Sequence, residues 1–228
     1  MKEEKNIHSG HRQRMKQRFL EHGLENFDDV NALELLLFYA QPQGDTNPLA
    51  HALLDRFGSL DAVLEADAEE LQTVSGIKEN AAALLKLIPA VSKRYLIEKT
   101  PESAPLDSVA AAGRCILPYF AYEKDEVVYA MLLDARRRLL SCAEIGRGVV
   151  NAAEIQARQL VQMVLQKNAS YVILAHNHLS GVLVPSSEDE FTTRRLRDAL
   201  GLVGVELSDH LVVCGSEYVS MRECGMMR

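Results

Sequence analysis

The sequence of 228 residues contains few cysteines and no long hydrophobic segment. The four cysteines are Cys115, Cys142, Cys214 and Cys224. Their spacing excludes a C-x-x-C zinc or redox motif, and they are too few for a disulfide scaffold, so we predict buried thiols. No uncharged apolar run approaches the roughly 18 residues of a membrane span, and no apolar segment typical of a signal peptide follows the charged residues MKEEKN. These features predict a cytoplasmic protein.

The chain also lacks an excess of positive charge. Lys and Arg total 25 against 32 Asp and Glu, which gives a net charge of -7. This balance argues against a domain devoted to binding nucleic acid. Residues 11–18 are an exception, with four basic side chains and no acidic one. A solvated helix face is the favoured interpretation of this segment, and a contact with phosphate is the alternative.

Hydrophobic residues make up 47% of the chain and charged residues 25%, the composition of an ordinary globular protein. Over residues 1–99 the apolar side chains recur at helical spacing, which predicts an all-helical region. Thr100, Pro101 and Pro105 close this region and predict a linker at about 99–107. From residue 107 onward, short β-branched or alternating apolar segments predict strands.

Residues 107–228 are predicted to form an α/β domain with a central mixed sheet flanked by helices. The predicted strands are 126–134, 138–145, 170–175 and 205–214, and the predicted helices are 151–169 and 186–204. The first two strands should form a hairpin through residues 134–137.

Two histidines follow the third predicted strand. His176 and His178 lie two residues apart, so both side chains should point to the same side. Seven residues separate His178 from Ser186, and Asp189 follows in an S-x-x-D pattern. Two imidazole nitrogens, a carboxylate and a fourth position for water form the ligand set of a catalytic zinc ion. The alternative is a helix capping box at Ser186 and Asp189 beside two surface histidines.

A hydrolytic zinc site also needs a group that takes a proton from water. Glu144 is the candidate general base, because it ends the second predicted strand beside a glycine-containing turn at 146–148. The alternative for this residue is an ordinary surface glutamate. The H-E-x-x-H motif of zinc proteases and the H-x-E and P-C-x-x-C pair of zinc deaminases do not occur in the chain.

Together these residues resemble the JAMM (MPN-plus, JAB-type) metallopeptidase motif, and in detail the bacterial RadC family, whose members are labelled DNA repair proteins. The matching features are Glu144 with Gly148, HNH-x-SG at 176–181, PS-x-x-D at 185–189, Thr193 and Asp209-His210. The resemblance covers about 107–228. The preceding helical region resembles the helix-hairpin-helix region of that family, with FGSL at 57–60 and a hairpin within 69–82.

The resemblance implies one Zn²⁺ ion per chain, held by His176, His178 and Asp189. It implies that Glu144 acts as general base and then as acid, and that Ser186 helps to hold the tetrahedral oxyanion. The implied reaction is attack of water on a peptide or isopeptide carbonyl, with a protein or peptide as substrate. The alternative is a non-catalytic DNA-processing accessory protein that binds DNA or protein. No membrane partner is implied, and the oligomeric state stays open.

Two segments differ from the family pattern. Leu179 replaces the usual proline after HNH, and the usually polar residues 181–184 are Gly, Val, Leu and Val, so the substrate groove should differ. In the hairpin, Lys78 replaces the second glycine that lets main-chain amides approach phosphate. The sequence therefore predicts at most a weak DNA contact through the N-terminal region, with a structural or protein-docking role as the alternative.

Overall fold

A computed structural model describes the backbone of residues 4–99, 104–148 and 153–227, and the side chains of 10–99, 104–148 and 157–227. The chain divides into two compact units, Met1–Ser92 and Lys93–Arg228. Residues 100–103 of the predicted linker lie outside the described ranges, so the predicted domain limits stay a prediction. None of the helices in the described ranges has the length and apolarity needed to cross a membrane.

The N-terminal region is helical, as predicted. Its described helices are α1 (Glu4–His22), α2 (Asp29–Ala40), α3 (Asn47–Phe57), α4 (Leu60–Glu65), α5 (Ala68–Gln72) and α6 (Glu79–Lys99). Helices α2 and α4 begin at Asp28 and Ser59, whose side chains accept hydrogen bonds from main-chain N–H groups of the first turn. Leucines from several helices form the core, among them Leu33, Leu53 and Leu85.

The basic segment near the start of the chain lies on α1 and contacts its own helical unit. The Arg12 guanidinium donates hydrogen bonds to the main-chain carbonyls of Gln41 and Gly44, at 2.9 and 2.6 Å. The Arg18 guanidinium lies 4.0 Å from the centroid of the Phe27 ring. Both side chains therefore make contacts within their own helical unit, and a phosphate contact by this segment stays a prediction.

The hairpin before α6 also has a structural reason for its glycine. Gly76 has a φ of 94°, and a Cβ atom at this position would lie 2.5 Å from Leu49 Cδ2. The Gly76 carbonyl accepts a hydrogen bond of 2.7 Å from the Gln41 side chain. Packing alone therefore accounts for the glycine, and a DNA contact at this hairpin stays a prediction.

The described part of the second unit contains a five-stranded mixed sheet with helices on both faces, which confirms the predicted fold class. Its elements are α7 (Val109–Ile116), a 3-10 helix (Leu117–Phe120), β1 (Val127–Leu133), β2 (Leu139–Arg147), α8 (Ala153–Lys167), β3 (Tyr171–Asn177), α9 (Ser187–Gly201), β4 (Glu206–Cys214) and β5 (Glu217–Ser220). The strand order is β2-β1-β3-β4-β5. Strands β3 and β4 are parallel, and the other neighbours are antiparallel.

Alternation along the strands divides the buried side chains of the sheet between two cores. Met131 and Ile173 belong to the core on the face that α7 covers. Leu132 and Leu174 belong to the core on the opposite face, together with Leu196 of α9 and residues of α8. Full burial of a leucine contributes about 1.5–3 kcal/mol, so these two layers stabilise the packing of the sheet between its helices.

All four predicted strands and both predicted helices of this unit are present, whereas α7 and β5 are absent from the sequence-based prediction. The predicted β1–β2 hairpin is confirmed by a turn in which Arg137 N–H donates to the Asp134 carbonyl at 2.9 Å. The two unpredicted elements pack together. A Cβ atom on Gly113 of α7 would lie 2.1 Å from Cζ of Tyr218 on β5, so this glycine makes room for the tyrosine ring.

Candidate metal centre

Strand β3 carries two histidines to one end of the sheet. His176 pairs with Val128 of β1 and with Val212 of β4, so it lies in the middle of the sheet. His178 N–H donates a 2.8 Å hydrogen bond to the Val213 carbonyl just beyond the strand. Both rings therefore extend to the face that α8 and α9 cover.

Asn177, between the two histidines, ties β3 to the start of β1. Its buried side chain accepts a 2.7 Å hydrogen bond from Val127 N–H and donates one of 2.9 Å to the Asp125 carbonyl. The metal-ligand pattern of the sequence assigns no role to this residue. Alternation could have indicated one, because a polar side chain between two inward histidines points to the opposite face and needs partners there.

We expect the substitution Asn177→Ala to destabilise the protein by about 2 kcal/mol, because it leaves the buried N–H of Val127 without an acceptor. Urea unfolding of the full chain measures this loss. Asn80→Ala, at an exposed position on α6, serves as the control and should change the free energy of unfolding by less than about 0.5 kcal/mol. Equal effects of the two substitutions would contradict a stabilising role for the hydrogen bonds of the Asn177 side chain.

The start of α9 fixes a carboxylate opposite the histidines. Ser186 is the N-cap residue, and its hydroxyl accepts a 3.2 Å hydrogen bond from Asp189 N–H and donates one of 2.6 Å to Asp189 Oδ2. The same carboxylate oxygen accepts a 2.7 Å hydrogen bond from Ser186 N–H. The predicted capping box is therefore present, and it orients the Asp189 side chain.

His176, His178 and Asp189 converge, with one potential ligand atom from each residue within 4.8 Å of the others. His176 Nε2 lies 3.1 Å from Asp189 Oδ1, and His178 Nε2 lies 3.4 Å from Asp189 Oδ2. The two Nε2 atoms are 3.0 Å apart. Partial burial would raise the pKa of Asp189, but the contact with His176 and the hydrogen bonds from Ser186 outweigh burial and hold that pKa below its usual value. The carboxylate is therefore ionised at neutral pH.

The hydrogen bonds of His178 suit a metal ligand. Its Nδ1 lies 3.0 Å from the carbonyl oxygen of Val182, which can only accept, so the ring proton is on Nδ1. Nε2 then carries a lone pair and faces Asp189 and the Nε2 atom of His176. Two imidazole nitrogens and one carboxylate are a donor set that fits a divalent transition metal with an open coordination position.

A third histidine, His210 on β4, contacts His176. His176 Nδ1 is 2.8 Å from Nε2 of His210 on β4, and His210 Nδ1 is 2.6 Å from the hydroxyl oxygen of Thr193 on α9. Burial, followed by the nearby histidines, holds the pKa of His210 well below its usual value, so this ring is neutral. Alternation allows only one residue of the pair Asp209-His210 to face the metal group, and the structure selects His210.

The structure does not bring Glu144 to this group. Glu144 pairs with Tyr129 of β1, which pairs in turn with Ala175 of β3. Residues paired across neighbouring strands share a face, so Glu144 belongs to the face of Ala175, opposite that of His176. The β2 residue in the row of His176 is Gly146, which has no side chain.

The Glu144 carboxylate is instead held by Arg147. The guanidinium donates to both carboxylate oxygens of Glu144, at 3.1 and 2.9 Å, and also to Glu123 and Asp125. Burial, then the charges of Glu123 and Glu144, raises the pKa of Tyr129 to about 12, in keeping with a position of Glu144 beside that ring. The role of Glu144 as general base stays a prediction.

Residues 106–226 match the family described as the RadC-like JAB domain. A UPF0758 protein of Burkholderia cenocepacia is 37% identical over 215 residues, which cover 94% of this chain and 84% of the relative. UPF0758 proteins of Burkholderia thailandensis and Burkholderia mallei are each 36% identical over 210 residues, covering 92% of this chain and 80% and 76% of the relatives. The second unit is therefore a JAB domain with a His-His-Asp group. The chain belongs to the RadC family.

Proposed function

We propose that this protein is a zinc-dependent hydrolase of the JAMM type that cleaves a peptide or isopeptide bond. The observation that carries the proposal is the convergence of two imidazole Nε2 atoms and a carboxylate, from His176, His178 and Asp189, at the end of β3. This group lies within a domain whose family match covers residues 106–226. One zinc ion per chain would be held by these three residues.

Zinc in such a site supplies a Lewis acid for a carbonyl oxygen and makes a water molecule more acidic. The residues of the chain hold the site in place. The capping box fixes Asp189, the Val182 carbonyl fixes the ring of His178, and the sheet fixes His176. Because these ligands are already oriented, they need to move little during a reaction, and such preorganisation favours a catalytic role for the metal.

The surface beside the site favours a polypeptide substrate. Leu179, Val182 and Val184 are all more than half exposed, and they lie within six residues of each other. Because the Val182 carbonyl is bonded to His178, this apolar segment borders the metal group. Exposed apolar clusters next to a site bind apolar side chains. We infer that residues flanking the cleaved bond include apolar ones.

Ser186 and Glu144 keep the roles that the resemblance implies, as part of the proposal. Both are engaged elsewhere: the Ser186 hydroxyl donates to Asp189, and the Glu144 carboxylate is paired with Arg147. To stabilise an oxyanion, the Ser186 hydroxyl must turn from Asp189 to substrate. To act as a base, Glu144 must leave Arg147 and reach the other side of the sheet edge.

Glu144→Gln tests the assignment of the base, because it removes the proton acceptor and keeps the shape of the side chain. We expect the zinc-loaded variant to retain its metal and to lose hydrolysis of a peptide library and of ubiquitin-like isopeptide conjugates. Glu123→Gln, which changes another carboxylate bonded to Arg147, is the matched control and should retain hydrolysis. Equal turnover by wild type and Glu144→Gln would contradict the assignment.

A further inference from the structure

A chain of hydrogen bonds connects His176 to the main chain of Asp189 through two buried residues. His176 Nδ1 lies 2.8 Å from His210 Nε2, and His210 Nδ1 lies 2.6 Å from the Thr193 hydroxyl oxygen. That hydroxyl oxygen lies 2.5 Å from the Asp189 carbonyl oxygen. Thr193 and His210 are 2% and 3% exposed. This series of hydrogen bonds therefore begins and ends at residues of the metal group, and its two middle residues are buried.

The Asp189 carbonyl sets the direction of every hydrogen bond in this chain. A carbonyl oxygen only accepts, so the Thr193 hydroxyl donates to it. The hydroxyl oxygen then accepts the Nδ1–H of His210. A neutral imidazole with its proton on Nδ1 has an acceptor at Nε2, so His210 accepts the Nδ1–H of His176. The reverse order would leave two oxygen atoms 2.5 Å apart with no proton between them.

We infer that His210 and Thr193 are positioning residues that hold His176 in the tautomer with its proton on Nδ1, so that its Nε2 lone pair is directed at the metal position. The inference rests on the proposed function, because it takes zinc as the ligand of that lone pair. Ligand histidines depend on the partner of their second nitrogen for ring orientation and basicity. His178 obtains the same tautomer from the Val182 carbonyl.

Two pairs of variants separate hydrogen bonding from packing. Thr193→Val removes the hydroxyl with little change of shape, and Thr193→Ser keeps the hydroxyl. His210→Leu removes the acceptor for His176, and His210→Gln restores an acceptor near the position of Nε2. Binding of Co²⁺ to the metal-depleted full-length chain, followed by its visible absorption, reports both affinity and ligand geometry. Circular dichroism and thermal unfolding show that each variant is folded.

We expect Thr193→Val and His210→Leu to bind Co²⁺ roughly 10–100-fold more weakly than wild type, with an altered absorption spectrum. Thr193→Ser and His210→Gln should stay close to wild type in both readouts. Unchanged affinity and spectrum in Thr193→Val and His210→Leu would overturn the inference. Equal losses in Thr193→Ser and Thr193→Val would also overturn it, because packing would then explain both.

If the proposed function is wrong, the metal-binding experiment gives a result that differs from failure of this inference. If the wild-type chain binds neither Co²⁺ nor Zn²⁺, the zinc hydrolase is excluded, and the tautomer of His176 still tests the hydrogen-bonded chain. Long-range ¹H–¹⁵N spectra of the metal-free protein at about pH 8, above the usual histidine pKa, show which ring nitrogen carries the proton. The inference is supported if His176 carries its proton on Nδ1 in wild type and in Thr193→Ser, and if part of the Thr193→Val population carries it on Nε2. A proton on Nε2 in wild type overturns it.

Discussion

Alanine in place of Asp189 should leave the chain folded but unable to retain zinc. Asp189 supplies the only carboxylate of the described metal group, and its oxygens lie 3.1 and 3.4 Å from the two imidazole Nε2 atoms. Loss of a direct ligand should reduce zinc affinity by more than the roughly 10–100-fold that follows the loss of an outer partner. His178→Ala removes another ligand and should have the same effect. Elemental analysis after desalting measures retained zinc.

Asp189 also belongs to the capping box, so a second variant separates the two roles. Asp189→Asn keeps an acceptor for Ser186 N–H but loses the negative charge, and it should also fail to retain zinc. Asp198→Ala, at an exposed position on the same helix, is the matched control and should retain zinc like wild type. Normal zinc content in Asp189→Ala and Asp189→Asn would show that this carboxylate is only a helix cap.

The metal-free protein should lose stability as the pH falls below about 6.5, and His210 should be a main cause. Its folded-state pKa lies well below the usual value of 6.5 because of burial, with further lowering by His176 and His178 and an opposing effect of Asp189. Below pH 6.5 the unfolded chain therefore binds a proton at this residue that the folded chain does not bind. The stability contributed by neutral His210 is present above pH 6.5 and falls by up to about 1.4 kcal/mol per pH unit below it.

Urea unfolding of the metal-free chain between about pH 7.5 and pH 5.5 measures this slope. His210→Gln removes the titrating ring, so its unfolding free energy should depend less steeply on pH than that of wild type. His51→Gln, which changes an exposed histidine on α3, should keep the wild-type slope. The same pH dependence in wild type and His210→Gln would contradict the assignment of a neutral buried ring.

Local sequence patterns predict the elements that carry the metal group. Buried strands such as β3 are short apolar segments, and the start of α9 is encoded by the capping box at Ser186 and Asp189. The spacing of His176 and His178 then places both rings on one face by strand geometry alone. Short-range rules therefore predict where each ligand lies on its own element, and packing of α9 against the sheet brings Asp189 to the histidines.

The parts of the site that depend on pairing between distant segments are not predictable in this way. The pairing of β1 with β2 is irregular between Val128 and Tyr129, and as a result Glu144 and Gly146 oppose adjacent residues of β1. Pairing is regular from Ser141 to Glu144, so the bulge leaves Glu144 on the face of Tyr129 and moves Gly146, the next residue but one, into the row of His176. The contact of His210 with His176 likewise depends on the register of β3 and β4, which no local pattern specifies.

Helix α7 and strand β5 are unpredicted for a different reason. Helix α7 has only eight residues and contains a helix-weakening glycine among its alanines, so its local pattern is short. Strand β5 has only four residues, at the edge of the sheet. Both elements are stabilised by tertiary contacts, as Gly113 under the Tyr218 ring shows.

The most direct test of the zinc hydrolase is the zinc stoichiometry of the wild-type, full-length chain without a histidine tag. The protein is saturated with Zn²⁺, desalted and analysed for metal and protein in the same sample. The proposal predicts one zinc ion per chain, bound through His176, His178 and Asp189. No retained zinc would contradict the proposal, would leave Ser186 and Asp189 as a helix cap alone, and would favour a non-catalytic protein that binds DNA or protein partners.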